Sequence, residues 1–282
     1  MNATGGVYTV SGTIGQPDAG EMSGGLYAVS GGFWYPSAAQ CPASGVAVPE
    51  MIEDAGKMLV VSTKNRFLSF TAGDTGRQQM ILVTFRNLPF PYDQFDNRSM
   101  WVGEPYEMSD IAGRDYPSPP NFWTAMLECP KPAVRDWTGY GTIHVHSPFI
   151  VPDGTYEIRV LDSTCTQADI WNPSISPVLT LATSRYGDVS TIPKNNQGEW
   201  CPPDGSPDIT RDVNHVKLKY ENKLGLSKPR AELGGERTDP TVDFIIDISK
   251  DVLYAKEAFE QKPYPFPVPP GEAWPCVNPP AP

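Results

Sequence analysis

Two hydrophobic periods divide this chain. From about Cys41 to Ser190 apolar and polar residues alternate in short runs separated by Gly, Pro, Asn and Asp clusters, the pattern of strands. Phe67–Phe70, Gln79–Phe85, Thr142–His146, Thr155–Leu161 and Val178–Leu181 read as strands, and their spacing predicts a β-sandwich over 41–190. The stretch Asn87–Asp136, rich in Pro, Tyr, Trp and acids, reads as a long irregular insertion. Beyond it the period becomes helical: Val213, Val216 and Tyr220, then Val252, Ala255 and Phe259.

Repeats sharpen this division. Gly5–Gly12 returns as Gly24–Gly31, each a short strand flanked by turn glycines, so residues 1–40 read as a glycine-rich β-hairpin arm. Such an arm must add to a sheet, its own or a neighbour's, and strand addition is one route to self-assembly. A larger repeat lies near the other end. Asp208–Lys223 superposes without gaps on Asp247–Lys262, and Asp208, Ile209, Asp212, Val213, Lys217, Glu221 and Lys223 all recur. The linker 191–199 precedes this duplicated module, assigned to 200–276, and a Pro-rich tail, 277–282, follows it.

Each helix of the module is preceded by oxygens. In the second copy Asp239, Thr241, Asp243 and Asp247 fall on alternate residues, Ile245 offers a backbone carbonyl, and Asp251 closes the series. Calcium takes roughly six to eight oxygens, which helix-loop-helix sites supply at every second loop position. The first copy is poorer, with Asp204, Ser206, Asp208 and Asp212, but Trp200 and Pro202 where early ligands belong. The competing account is helix capping, with Thr210 and Ser249 as N-caps and Asp212 and Asp251 in the first turn.

The duplicated unit resembles a dockerin, and Pro263–Pro267 resembles the Pro-Tyr-Pro-Phe-Pro ending of divergent dockerin-type tails in large bacterial exported proteins. That resemblance implies a small α-helical calcium module, a protein partner met through its helices, and an extracellular or cell-surface place. Val151–Val160 is similar to the Pro-Gly-x-x-Tyr strand of fibronectin type III domains, which implies an Ig-like sandwich with a tyrosine tying down a corner. The expected fold class is therefore mainly β, with a small helical module.

Composition narrows the chemistry. A formal charge of −11 argues against a nucleic-acid backbone as partner. No run of about eighteen apolar residues is present, so no span is expected. There is no signal peptide, and Met1–Gly6 reads as a cut edge. Five cysteines without CxxC spacing suggest disulfides, with Cys201–Cys276 clasping the module, Cys129–Cys165 inside the preceding domain and Cys41 left over. Local catalytic signatures are absent, and a structural role is expected rather than an enzyme. His144 and His146 share a strand face but have no visible third ligand. The aromatics Trp101, Tyr106, Tyr116, Phe122, Trp123, Trp137 and Tyr140, interleaved with acids, admit a glycan platform or a local core. Together these readings predict a secreted structural or assembly protein, with a carbohydrate-binding module as the rival.

Overall fold

A computed structural model describes residues 2–5, 8–11, 21–24, 27–30, 44–54, 56–129, 131–170, 177–190, 202–223, 226–239, 241–268 and Cys276. The linker 191–199, the tail 277–282, Trp200, Cys41 and Cys201 lie outside the described residues. Two compact units are present, Met1–Gln40 and Cys41–Pro282.

In the first unit two hairpins form, β1 (Asn2–Gly5) with β2 (Tyr8–Ser11) and β3 (Glu21–Gly24) with β4 (Tyr27–Ser30). Gly5 stands opposite Tyr8 and Gly24 opposite Tyr27. Each repeat supplies one strand, β2 or β4, as expected, but that strand pairs with the segment just before it and not with the other repeat.

The second unit is mainly β. Its strands are β5 (Val48–Pro49), β6 (Met51–Asp54), β7 (Lys57–Val60), β8 (Phe67–Thr71), β9 (Gln79–Asn87), β10 (Ser99–Val102), β11 (Tyr106–Ser109), β12 (Asn121–Glu128), β13 (Thr142–His146), β14 (Thr155–Asp162) and β15 (Leu179–Ala182). β6 and β7 form a separate ribbon; the other nine make one sheet, ordered β15-β14-β9-β10-β12-β13-β8-β5 with β11 beside β12. The ends of that order, β15 and β5, approach each other, so the sheet curls around its core. Inward-facing Leu68 and Phe70, Ile81, Val83 and Phe85, Ile143 and Val145, and Tyr156, Ile158 and Val160 fill it at the strand period.

All five strands expected from alternation are present. The stretch Asn87–Asp136 is no insertion, because it supplies β10, β11 and β12. β12 is shared between neighbours: Asn121–Thr124 pair with β11, and Leu127–Glu128 pair with β10. Tyr156 does tie down the corner: its hydroxyl accepts from the Val151 N–H at 2.8 Å and donates to the Phe149 carbonyl at 3.2 Å. At Gly154 a Cβ would lie 2.6 Å from that hydroxyl, so only glycine fits there.

The helical elements are short: α1 (Gln167–Ile170), α2 (Asn214–Tyr220), α3 (Lys228–Ala231) and α4 (Leu253–Phe259). A π-helical turn leads into α2 over Ile209–Val213 and into α4 over Ile248–Val252. α2 packs on the second turn and α4 on the first, so the duplicated units embrace one another. Their buried positions correspond: Asp212, His215, Val216 and Lys219 in one, Asp251, Tyr254, Ala255 and Ala258 in the other. Tyr220 and Phe259, expected on the buried stripe, are 40% and 43% exposed. Polar or small residues at 215, 219 and 258 occupy that stripe because the module meets backbone and ion-pair partners there.

Both expected segments, 41–190 and 200–276, lie in this one compact unit and pack together. Phe67, Met108 and Phe122 from the sheet enclose Val242 and Phe244. The Asp110 carboxylate takes Lys219 Nζ at 2.7 Å and the Lys228 N–H at 2.6 Å. The Pro-rich run after α4 crosses the junction without regular structure: Phe266 enters the module core, and Tyr92 Oη donates to the Pro267 carbonyl at 2.8 Å. Arg66 sits over both the Tyr264 and Phe266 rings.

The cysteine pairing differs from both expected bridges. Cys129 bonds to Cys276, with Cα atoms 5.4 Å apart. Cys165 is disulfide-bonded to a partner outside the described residues. Sequence spacing could not decide this, since linkage needs the two Cα atoms within about 7 Å. The clasp ties β12 to the tail rather than closing the module on itself.

Candidate functional site

The alternating acids belong to an irregular loop between α3 and α4. Val242, Phe244 and Ile246 are buried against the sheet and the module core, while Thr241, Asp243, Ile245 and Asp247 stay half-buried on the opposite side. The half-buried ladder thus alternates with a buried apolar set, but the backbone is irregular rather than a strand, since Phe244 at its middle has a left-handed φ of 58°.

Its oxygens have local partners. Asp239 Oδ1 accepts from the Thr241 N–H and hydroxyl at 2.9 and 2.7 Å. Asp243 takes the Ile245 N–H at 2.9 Å and Lys250 Nζ at 2.6 Å. Asp247 is the N-cap, accepting from the Lys250 N–H at 2.7 Å and the Ser249 hydroxyl at 2.9 Å. Asp204 takes the Ser206 N–H at 3.0 Å and Arg211 at 2.7 Å, and Asp208 caps its helix through the Arg211 N–H at 2.6 Å. The caps are thus Asp208 and Asp247, not Thr210 and Ser249, whose hydroxyls donate to those aspartates. A carboxylate at N-cap can take a backbone N–H and a hydroxyl together, which a hydroxyl at the next turn position cannot.

The first-turn acids behave differently. Asp212 and Asp251 are buried. Asp251 accepts from the Leu233 N–H at 2.8 Å and the Asp247 N–H at 3.1 Å. Asp212 accepts from the N–H groups of Val189, Ser190 and Asp208 at 2.8, 3.0 and 2.8 Å. Each copy thereby brings a second buried acid beside its first-turn aspartate, Asp188 before Val189 and Glu232 before Leu233. The motif reading passed over both residues. Their signal in the sequence is faint: an acid between small and aliphatic residues, Gly187-Asp188-Val189 and Ala231-Glu232-Leu233.

The two copies then diverge. Asp188 accepts backbone N–H groups from Asp204 and Gly205. Glu232 is fully buried, and neither of its oxygens has a hydrogen-bond partner. Burial, with the charges of Asp251 and Asp243 adding, holds the Glu232 carboxyl well above the usual range. The same causes, burial first, push Asp251 up to about 8, while Asp188 and Asp212 reach about 7 and 6. Buried like charges of this kind need a proton or a cation between them. The residues of the second copy fit a hard divalent cation better than those of the first, with Glu232 and Asp251 as its acids. Among the described residues no three His, Cys, Asp or Glu side chains gather as a metal set, so backbone oxygens and water would complete the shell.

The other candidates are structural. His144 Nδ1 meets Ser69 Oγ at 2.7 Å and His146 Nε2 meets Tyr106 Oη at 2.8 Å. Burial, more than nearby cations, pushes the two imidazoles down to about 3 and about 4, so both are neutral in the core. Trp101 and Trp137 are buried, and Trp123 packs edge-on against Tyr140. Trp101 and Trp137 belong to the core, Phe122, Trp123 and Tyr140 are half-buried, and Tyr106 and Tyr116 are 38% and 54% exposed.

One surface is repeated. Ile209 and Ile248 are 50% and 53% exposed, and they stand at equivalent positions of the two helical turns. Tyr220 and Phe259, 40% and 43% exposed, stand at equivalent positions at the far ends of α2 and α4. Among the described residues no helix is long and apolar enough to cross a membrane. Comparison with protein-family models, with curated proteins and with solved structures finds no match to this chain.

Proposed function

We propose that this chain is an extracellular structural protein that assembles through its duplicated module, which calcium orders and whose helices meet a protein partner. The observation that carries the reading is the doubled apolar surface: Ile209 with Tyr220, and Ile248 with Phe259. Single exposed apolar residues are ordinary, but the same pair exposed twice at equivalent positions gives one module two like contact faces. A second copy of the chain can meet such a surface from either side, which is the requirement for a fibre or layer.

Calcium would be held by Glu232 and Asp251, and would add to the positive charge of Arg66 and Lys228, which does not offset the burial of Glu232. The ladder residues Asp239, Thr241, Asp247 and the Ile245 carbonyl remain candidate ligands, as do Asp204, Ser206, Asp208 and Asp212 in the first copy. Disulfide bonding at Cys129, Cys165 and Cys276 supports an oxidising compartment.

Sedimentation velocity of the purified protein in calcium and in excess chelator tests the reading. Large species with calcium that dissolve in chelator, and shrink when Ile209, Tyr220, Ile248 and Phe259 become serine, are expected. A monomer in both conditions, with no calcium shift in melting temperature, would overturn it.

A further inference from the structure

Both copies of the duplicated unit carry a cation of their own. Three positions after each N-cap aspartate a basic side chain turns back onto the loop. Arg211 donates to Asp204 at 2.7 Å and lies 3.2 Å from Asp208. Lys250 Nζ, at the equivalent position, stands 2.6 Å from Asp243, 3.2 Å from Glu236 and 3.8 Å from Asp247. Asp204 and Asp243 correspond too, each four residues before its cap. Two different bases thus close the same pair of loop acids.

We infer that Lys250 is a tethered competitor for the divalent ion of the second copy: its ammonium holds Asp243, which joins Glu232 and Asp251 once an ion displaces it. The inference rests on the calcium reading given above. The Asp243 charge acts on both Glu232 and Asp251, so this carboxylate lies between the ammonium and the buried pair. Glu232 is fully buried and neither of its oxygens has a hydrogen-bond partner, so the pair has oxygens left for an ion. Calcium affinity follows the number of charged ligands, and Asp243 supplies the third. Lys250 is 21% exposed, so its ammonium can move into water on its flexible stem. The first copy has no such opening. Both Asp188 oxygens already accept N–H groups, from Asp204 and Gly205, and both Asp212 oxygens are bonded as well. The chain therefore takes one ion, with an affinity that Lys250 sets.

Calorimetric titration of calcium chloride into the intact, chelator-stripped protein tests this, with melting temperature in chelator as the check on folding. One ion per chain is expected. Lys250→Gln should bind it about tenfold more tightly, the lower end of what one nearby charge does to a carboxylate's hold on a proton. Lys256→Gln removes the same charge from an exposed part of α4, where Lys256 pairs with Glu260 at 3.4 Å. That control should change affinity by less than about twofold in about 0.15 M salt. Adding Asp243→Asn to Lys250→Gln should abolish the gain, and Arg211→Gln should create no second site. Equal affinity in the parent and Lys250→Gln overturns the inference while the calcium reading stands. A gain that survives Asp243→Asn, or that Lys256→Gln matches, also overturns it, because net charge then suffices. Neither heat nor a calcium shift in melting temperature in any variant overturns both.

Discussion

Gly187 lies directly against Ala258: a Cβ built on Gly187 would stand 2.2 Å from the Ala258 Cβ, and Gly187 has a φ of +76°. The turn that carries Asp188 and the helix α4 therefore touch backbone to side chain, which locks the second helix to the end of the sheet. Gly187→Ala combines a steric clash with a left-handed backbone that L-residues rarely adopt. It should cost about 3 kcal/mol, measured by urea denaturation. Ala258→Gly in the Gly187→Ala background should restore part of that loss.

The proposed calcium site and the pH dependence share the same two carboxyls. Asp251 is pushed up to about 8 and Glu232 is also raised, whereas unfolded carboxyls titrate near 4. A raised folded pKa means the folded state binds more protons between these values. Stability in chelator is therefore highest near pH 4, falls as pH rises, and levels near pH 8. Asp188 and Asp212 act in the same sense with their loss complete by about 7 and 6. Melting scans from pH 5 to 8 should show this decline in chelator and a flatter profile in calcium. Glu232→Gln should reduce both the slope and the calcium effect; an unchanged calcium shift in that variant would remove Glu232 from the site.

Asp110 joins the sheet to the module through Lys219 and Lys228. Lys219 is 4% exposed and Lys228 is buried, so Asp110→Ala would leave buried ammonium charge without its carboxylate. A loss of about 3 kcal/mol is expected. Lys219→Met combined with Asp110→Ala should recover part of that stability, because the Lys219 charge is then gone while Lys228 Nζ keeps its bond to the Arg114 carbonyl.

Tyr156→Phe isolates the corner hydrogen bonds. The ring remains, but the buried Val151 N–H loses its acceptor at 2.8 Å. The expected cost is about 2 kcal/mol, with faster hydrogen exchange at Val151 as the local readout.

The Cys129–Cys276 bridge closes a loop with a sequence separation of 147. Its removal by Cys129→Ala with Cys276→Ala should destabilise the second unit by about 5 kcal/mol in the chain-entropy account. Mass spectrometry of the unreduced, digested protein checks the pairing itself.

By itself the sequence determined the β-rich class, five strands of the sheet, the tyrosine corner and the duplicated helical unit. Each is a local pattern: alternation, helical period or a short motif whose physics acts within a few residues. The strands β10 to β12 were obscured because prolines, acids and aromatics crowd the turns between them. Tertiary structure alone decided the rest. The acid ladder proved to alternate with Val242, Phe244 and Ile246, which are buried in a loop that turns at Phe244. Asp188 and Glu232 became part of the site only because backbone bonds from Val189 and Leu233 carry them to Asp212 and Asp251. The Cys129–Cys276 pairing likewise depends on residues far apart in the chain. Burial and proximity of that kind arise from packing, which spacing along a sequence does not encode.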